Sequence, residues 1–261
     1  MPRSGRAEPG LPPRPEAGSP GPSPSTGHEP GSGPATLGLP PHPPGWLTPH
    51  GGENRIPVAA AIVVAAALQL LLPDQFTLLP VRWLLPSLEV LLLATLIALN
   101  PVRLSRHAPA GRRLSLLLVA LISLDNAASA VLLDTRLIAG TAGDQAGPLL
   151  AAAADIYLTN VIAFGIWYWE LDRGGPFARA AAEHQHPDFL FPQMSGPHLA
   201  RQTWRPHFGD YLYVSFTNAT AFSPTDTMPL TRWAKALMAV QSAIALSTTA
   251  LVIARAVNIL K

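Results

Sequence analysis

The stretch Leu149–Trp169, LLAAAADIYLTNVIAFGIWYW, decides how the rest of the chain is read. A helix of about 20 mainly apolar residues crosses roughly 30 Å of hydrocarbon, and this one carries only Asp155 and Asn160 as strongly polar side chains. Its far end changes abruptly. Trp167, Tyr168 and Trp169 run straight into Glu170, Asp172, Arg173, Gly174 and Gly175. Aromatic rings followed at once by charge mark a helix end anchored at a membrane–water interface.

Four more segments share this texture. Ile56–Leu72 is interrupted by Gln69, Trp83–Leu99 by Glu89, Leu114–Leu133 by Asp125 and Asn126, and Ala234–Leu260 by Gln241 and Arg255. Lipid offers no partner to backbone amides, so such segments fold as helices and not as open strands. The expectation is an all-α integral membrane protein of about five transmembrane helices over residues 55–261. Its partner is then the lipid bilayer and its place the cell (inner) membrane, as a multi-pass protein. Composition agrees: of 261 residues, 48% are hydrophobic and 13% charged, against about a quarter charged in soluble domains.

Residues 1–54 are different material, with 15 Pro and 11 Gly and almost no aliphatic run. Such a segment buries too little apolar area to offset its ordering entropy, so a disordered tail is expected. The first apolar run begins near Ile56, too late for a secretory signal. A Pro-rich docking role for Pro12-Pro13-Arg14-Pro15 is the functional alternative to a plain solvated tail. Residues 174–210 read as a polar inter-helix segment.

Several function classes fall away. The absence of cysteine removes disulfide frameworks, thiolate metal sites and thiol catalysis. A net charge of +2 gives no ground for nucleic acid. Glu183-His184-Gln185-His186, with His198 and His207, lacks the spaced partners that fix a metal. Neither a phosphate-cradling loop nor a nucleophile motif is present. The chain is read as a non-enzyme without cofactor.

Polar residues inside the apolar segments carry the remaining information. Asp125 lies about eleven residues into its segment, where insertion costs a carboxylate about 2.5–3.5 kcal/mol. Ser115, Ser123, Asp125, Asn126 and Ser129 share one helical face, which is expected to turn towards the bundle. It would serve as an ion or proton site, or as interhelical hydrogen-bond glue. Alternating helix directions put Glu89, Asp155 and Arg255 at similar depth, so Arg255 is expected to pair with Glu89 or Asp155. Gln241, Thr248 and Arg255 recur every seven residues along the last helix, a polar line that coats a pore or seals a seam. Arg103, Arg106, Arg112 and Arg113 crowd one connection, whereas Arg82 and Arg136 stand singly in the neighbouring ones. The positive-inside rule then places 100–113, the N-terminus and 170–209 in the cytoplasm.

Before the last helix, Tyr211–Phe222 is apolar and aromatic but only twelve residues long. That length suits a re-entrant segment better than a span. SFTNATAFSPTDTMPLTRWAKAL resembles the pore region of potassium channels, with Ser215 and Phe216 in the pore helix, Thr220 at its end and Asp226 after the filter. The resemblance implies a pore-loop-like element over 211–231 and a tetrameric homo-oligomer. The filter positions themselves are Ala221, Phe222, Ser223, Pro224 and Thr225. Without glycine and with Pro224 they do not form the carbonyl stack of a potassium filter. WYWELDRGGP, DFLFPQM and DYLYVSFTNATAFSPTD also resemble an uncharacterised family of bacterial polytopic membrane proteins, which implies the membrane fold and no activity. Three functions are therefore carried forward: an ion-channel-like pore protein, a non-conducting scaffold or partner subunit, and a small transporter using Asp125. A potassium-channel pore loop enters from outside, which conflicts with the arginine distribution.

Overall fold

A computed structural model describes residues 43–259, apart from 78, 80, 82, 100–108, 144, 197, 198, 200 and 221–225. The chain divides into Met1–Leu39 and Pro40–Lys261, and everything described belongs to the second unit. The tail residues 1–42, Arg82, Arg103, Arg106, His198 and the filter-like positions Ala221, Phe222, Ser223, Pro224 and Thr225 lie outside the described residues.

The described residues are mostly helical: α1 (Ile56–Leu71), α2 (Leu84–Leu99), α3 (Pro109–Ile138), α4 (Ala146–Leu171), α5 (Pro176–Ala180), α6 (Phe208–Thr220) and α7 (Arg232–Ile259). Prolines set several starts, because their fixed φ suits a first turn whose amides lack partners. Pro57 opens α1 and Pro176 opens α5. Asn54 Oδ1 accepts the Ile56 amide at 3.0 Å, and α1 stops before Leu72-Pro73. Gly140, at φ +72°, follows the end of α3 in the left-handed region that a side chain disfavours.

Three helices are long and apolar enough to cross a membrane: Gly111–Ile138, Ala146–Gly174 and Arg232–Ile259. The helices α1 and α2 are apolar but shorter, at 16 residues each. Outward faces are aliphatic throughout, with Val64, Leu91, Leu124, Leu158, Leu246 and Ile253 all exposed.

The centre of the bundle is α4, against which α1, α3, α6 and α7 all pack. Its Ala163, Phe164, Ile166, Tyr168 and Trp169 lie in one core with Val58, Ile62, Leu118, Ile122, Tyr211 and Val214. At Gly165 an added Cβ would lie 3.2 Å from Leu212 Cα, so the missing side chain is what lets α6 approach. A two-stranded antiparallel ribbon joins β1 (Phe189–Leu190) to β2 (Met228–Pro229), with Phe189 opposite Pro229 and Leu190 opposite Met228. One end of the bundle therefore gathers residues 43–55, the exit of α4, the ribbon and the starts of α6 and α7. The other end holds the exits of α1, α3 and α7 and the starts of α2 and α4.

One boundary shifts from the sequence reading. Residues 43–54, drawn there as the last part of the disordered tail, are folded against the bundle. Trp46 lies under the Arg173 guanidinium at 5.4 Å, Gly45 N donates to Gln202 O at 2.6 Å, and Glu53 is buried. Composition alone misses this, because the contacts come from residues more than a hundred positions away.

Gly165→Val inserts bulk where the α4 and α6 backbones are closest. It should destabilise the protein by about 1–3 kcal/mol, read as a lower midpoint of thermal unfolding in detergent.

Candidate functional site

Three polar assemblies are buried in the bundle, and they differ in how completely their hydrogen bonds are made. The first closes the end where α4 exits. The Arg179 guanidinium meets Glu53 with Nε to Oε1 at 2.8 Å and Nη2 to Oε2 at 3.0 Å. Its Nη1 donates to the carbonyls of Trp169 at 2.6 Å and Asp172 at 2.9 Å at the end of α4, the latter also accepting the Gly175 amide at 2.9 Å. Trp169 Nε1 donates to Glu53 Oε2 at 2.6 Å. Asp172 accepts from Tyr211 Oη at 2.6 Å and from the amides of Asp188 and Phe189 at 3.0 and 3.3 Å. Asp188 accepts the Arg173 amide at 2.8 Å and Trp233 Nε1 at 3.0 Å. Arg173 itself sits at φ +49°, a strained angle held by those bonds. Glu170 accepts from Ser115 Oγ and lies among Arg55, Arg112 and Arg179. Burial alone would lower the Arg179 guanidinium, but Tyr211, Glu53 and Asp172 outweigh it and hold it above its ordinary value. For Arg55, burial prevails over Glu170 and lowers it.

The second assembly locks α6 to α4 and α7. Gln241 Oε1 accepts from Tyr168 Oη at 2.5 Å and Asn218 Nδ2 at 2.8 Å, while its Nε2 donates to Ser215 Oγ at 2.7 Å and Ser215 O at 2.9 Å. Ser215 Oγ continues to Val161 O at 2.6 Å. With its amide engaged at both ends, Gln241 seals a seam. Thr248, two turns on, is also buried.

The third assembly is chemically unlike the others. A small cavity between α1, α3 and α4 is lined by Gln69, Asp125, Asn126, Ser129, Asp155 and Thr159, with Leu68, Leu72 and Ile156. Glu89 of α2 stands behind Gln69, whose Nε2 donates to Glu89 Oε1 at 3.2 Å, and Asp125 is close enough to interact with it through space. Glu89 is fully buried, yet its Oε2 has no hydrogen-bond partner, and the same holds for Gln69 Oε1 and Ser129 Oγ. Among the described residues no Arg or Lys lines the cavity. Native interiors rarely leave such atoms orphaned without a ligand, ion or water in mind.

The candidate residues of the sequence are thus dispersed. Glu89, Asp125, Asn126 and Asp155 gather at the third assembly, Gln241 belongs to the second, and Thr220 ends α6 with Oγ1 on Thr217 O at 2.8 Å. Asp226 is exposed beyond α6. The expected pairing of Arg255 with Glu89 or Asp155 is not formed. Arg255 reaches outward, its Nη2 donating to the Gly143 carbonyl at 3.3 Å, while Glu89 takes Gln69. Helix rise, from which the pairing was expected, carries no azimuth. The sequence reading also passed over Gln69 and Thr159 as site residues. Asp155 and Thr159 are four apart on α4, a same-face spacing that would have paired them. His184 and His186 are exposed, and among the described residues no group of acidic or His side chains is arranged to hold a metal.

Arg179→Met should cost about 3–5 kcal/mol, because Glu53 is left buried without its cation. Glu53→Gln combined with Arg179→Met should recover part of that loss, measured by thermal unfolding of the detergent-solubilised protein.

Compared with known protein families, with curated proteins and with solved structures, the chain matches none.

Proposed function

We propose that the protein is a small multi-pass transporter of the cell (inner) membrane, and that the Glu89–Asp125–Asp155 cluster is its binding site for a proton. The observation carrying this reading is a pair of buried carboxylates, Glu89 and Asp125, with the half-buried Asp155 in the same cavity wall as Asp125 and no basic residue among the described lining, beside orphaned oxygens of Glu89, Gln69 and Ser129. Intramembrane carboxylates are costly and are associated with ion and proton pathways. Carboxylate, amide and hydroxyl oxygens that lie close together can share and pass on a proton.

In this reading α1, α2, α3, α4 and α7 are the five spans. Sixteen residues of α1 or α2 rise about 24 Å, close to the hydrocarbon thickness. The 13-residue α6 is re-entrant. Support for that comes from the ribbon, which ties the chain before α6 to the chain after it at one end of the bundle. That same end holds Arg112, Arg113, Arg173, Arg179, Arg201 and Arg205, against Arg136 and Arg255 at the other, and is therefore assigned to the cytoplasm. The acidic cluster then lies nearer the outer face.

A second reading, a tetrameric channel built on 211–231, is favoured by the α6–ribbon–α7 layout. Entry of α6 from the arginine-rich end runs opposite to potassium channels, and Gln241 is used up in a seam. The transporter reading is therefore preferred. A non-conducting scaffold is what remains if neither moves ions.

Single-cysteine labelling checks the topology in a chain that has no native cysteine. Ser195→Cys and Asp226→Cys should react only from the cytoplasmic side and Thr141→Cys only from outside. Asp226 labelling together with Thr141 would end the re-entrant reading. For the activity, purified protein in liposomes holding a pH-sensitive dye is given a sodium or potassium gradient. Proton movement should appear with wild type and fall to the protein-free rate in Asp125→Asn and Glu89→Gln. Flux untouched by both substitutions, or none at all, defeats the transporter assignment.

A further inference from the structure

A second cavity lies at the arginine-rich end, well away from the acidic cluster. It has a volume of about 310 Å³ and is lined by His50, Gly51, Gly52, Glu53, Asn54, Arg205, Pro206 and His207. That is the lower edge of the roughly 300–1,000 Å³ usual for small-ligand pockets. Two segments make it: one leads into α1 at Ile56, the other into α6 at Phe208. Both helices start where their apolar runs begin, which sets the cavity at the boundary between headgroups and water.

Its charge is one-sided. The carboxylate inside it, Glu53, has both oxygens committed to Arg179 and Trp169. The neighbouring carboxylate, Asp210, accepts the His207 amide through Oδ2 at 2.7 Å. The cation, by contrast, is held in place and still has donors to offer. Arg205 Nε donates to Gly45 O at 2.9 Å and Nη2 to Thr48 Oγ1 at 3.2 Å, so its fork is fixed before any ligand arrives. His50 and His207 add two imidazoles. Burial, and then Arg205, lowers the His50 ring from its ordinary value. A rigid guanidinium flanked by imidazoles matches the oxygens of a phosphate group, with bonds that are charge-assisted and directional.

We propose that this cavity binds a phosphate-bearing anion, through Arg205 with His50 and His207, at the cytoplasmic membrane face. The phosphate belongs either to a lipid headgroup such as phosphatidic acid or to a soluble phosphate, and one experiment separates the two. Full-length protein in phosphatidylcholine nanodiscs is titrated with short-chain phosphatidic acid and, separately, with inorganic phosphate, and tryptophan emission is followed. Trp46, beside the Thr48 that Arg205 holds, supplies the signal. A saturable shift is expected, with its midpoint raised about tenfold or more in Arg205→Gln by loss of a charged hydrogen bond, and raised less in His207→Gln. A response to phosphatidic acid alone assigns the lipid headgroup; an equal or stronger response to inorganic phosphate assigns the soluble ligand. His207 is exposed, so His207→Gln keeps the test alive should Arg205→Gln fail to fold. Absence of any shift with both ligands, or midpoints unchanged in the variants that fold, overturns the proposal.

Discussion

The Arg179 fork is the interaction on which the rest of the bundle depends. A helix that ends among apolar neighbours leaves carbonyls without partners, and α4 ends where Trp169 and Tyr211 shut water out. Arg179 reaches the Trp169 carbonyl, and with it the Asp172 carbonyl that already holds the Gly175 amide, while binding Glu53 through its other nitrogens. One side chain thereby fixes the exit of α4, the short α5 and the segment leading into α1. Asp172 and Asp188 extend the same logic to α6, the ribbon and α7. Removing a partner from such an assembly costs far more than its net contribution, since the remaining charge stays buried.

Against that background the acidic cluster stands out by its incompleteness. The polar side chains at the α4 exit and around Gln241 are largely supplied with partners, and these assemblies hold helices together. Around Glu89 and Asp125, oxygens are buried with nothing to bond to. An apolar replacement at those positions would avoid the desolvation cost altogether. The proposed function rests on these oxygens and not on the aromatic, well-bonded segment α6.

Much was legible from the chain itself. Spacing along α3 indicated that Ser115, Ser123, Asp125, Asn126 and Ser129 share a face, and all are buried except the half-buried Ser123. The phrases around Trp169–Arg173, Asp188–Phe189 and Tyr211 read as separate interface segments, yet they meet in one hydrogen-bonded knot. The reason they were not joined is that each contact spans 15 to 39 positions across loops, and helical periodicity says nothing about loops. Arg255 shows the complementary failure, where helix rise says nothing of the direction in which a side chain leaves its helix. Glu53 shows a third: it sits in a Pro/Gly-rich stretch whose composition predicts disorder, and its order comes from Arg179, 126 positions away.

By itself the sequence determined the solvent each segment prefers and the period with which it turns, because both follow from local side-chain chemistry. Hence a mostly helical chain with long apolar helices, an inward polar stripe on α3 and a short apolar and aromatic segment before the last helix were all within its reach. Only the tertiary structure decided which faces meet, that Gly165 admits α6 against α4, and which buried oxygens go without partners. Those outcomes depend on the relative rotation of distant helices, and rotation is set by the packing of the whole bundle at once.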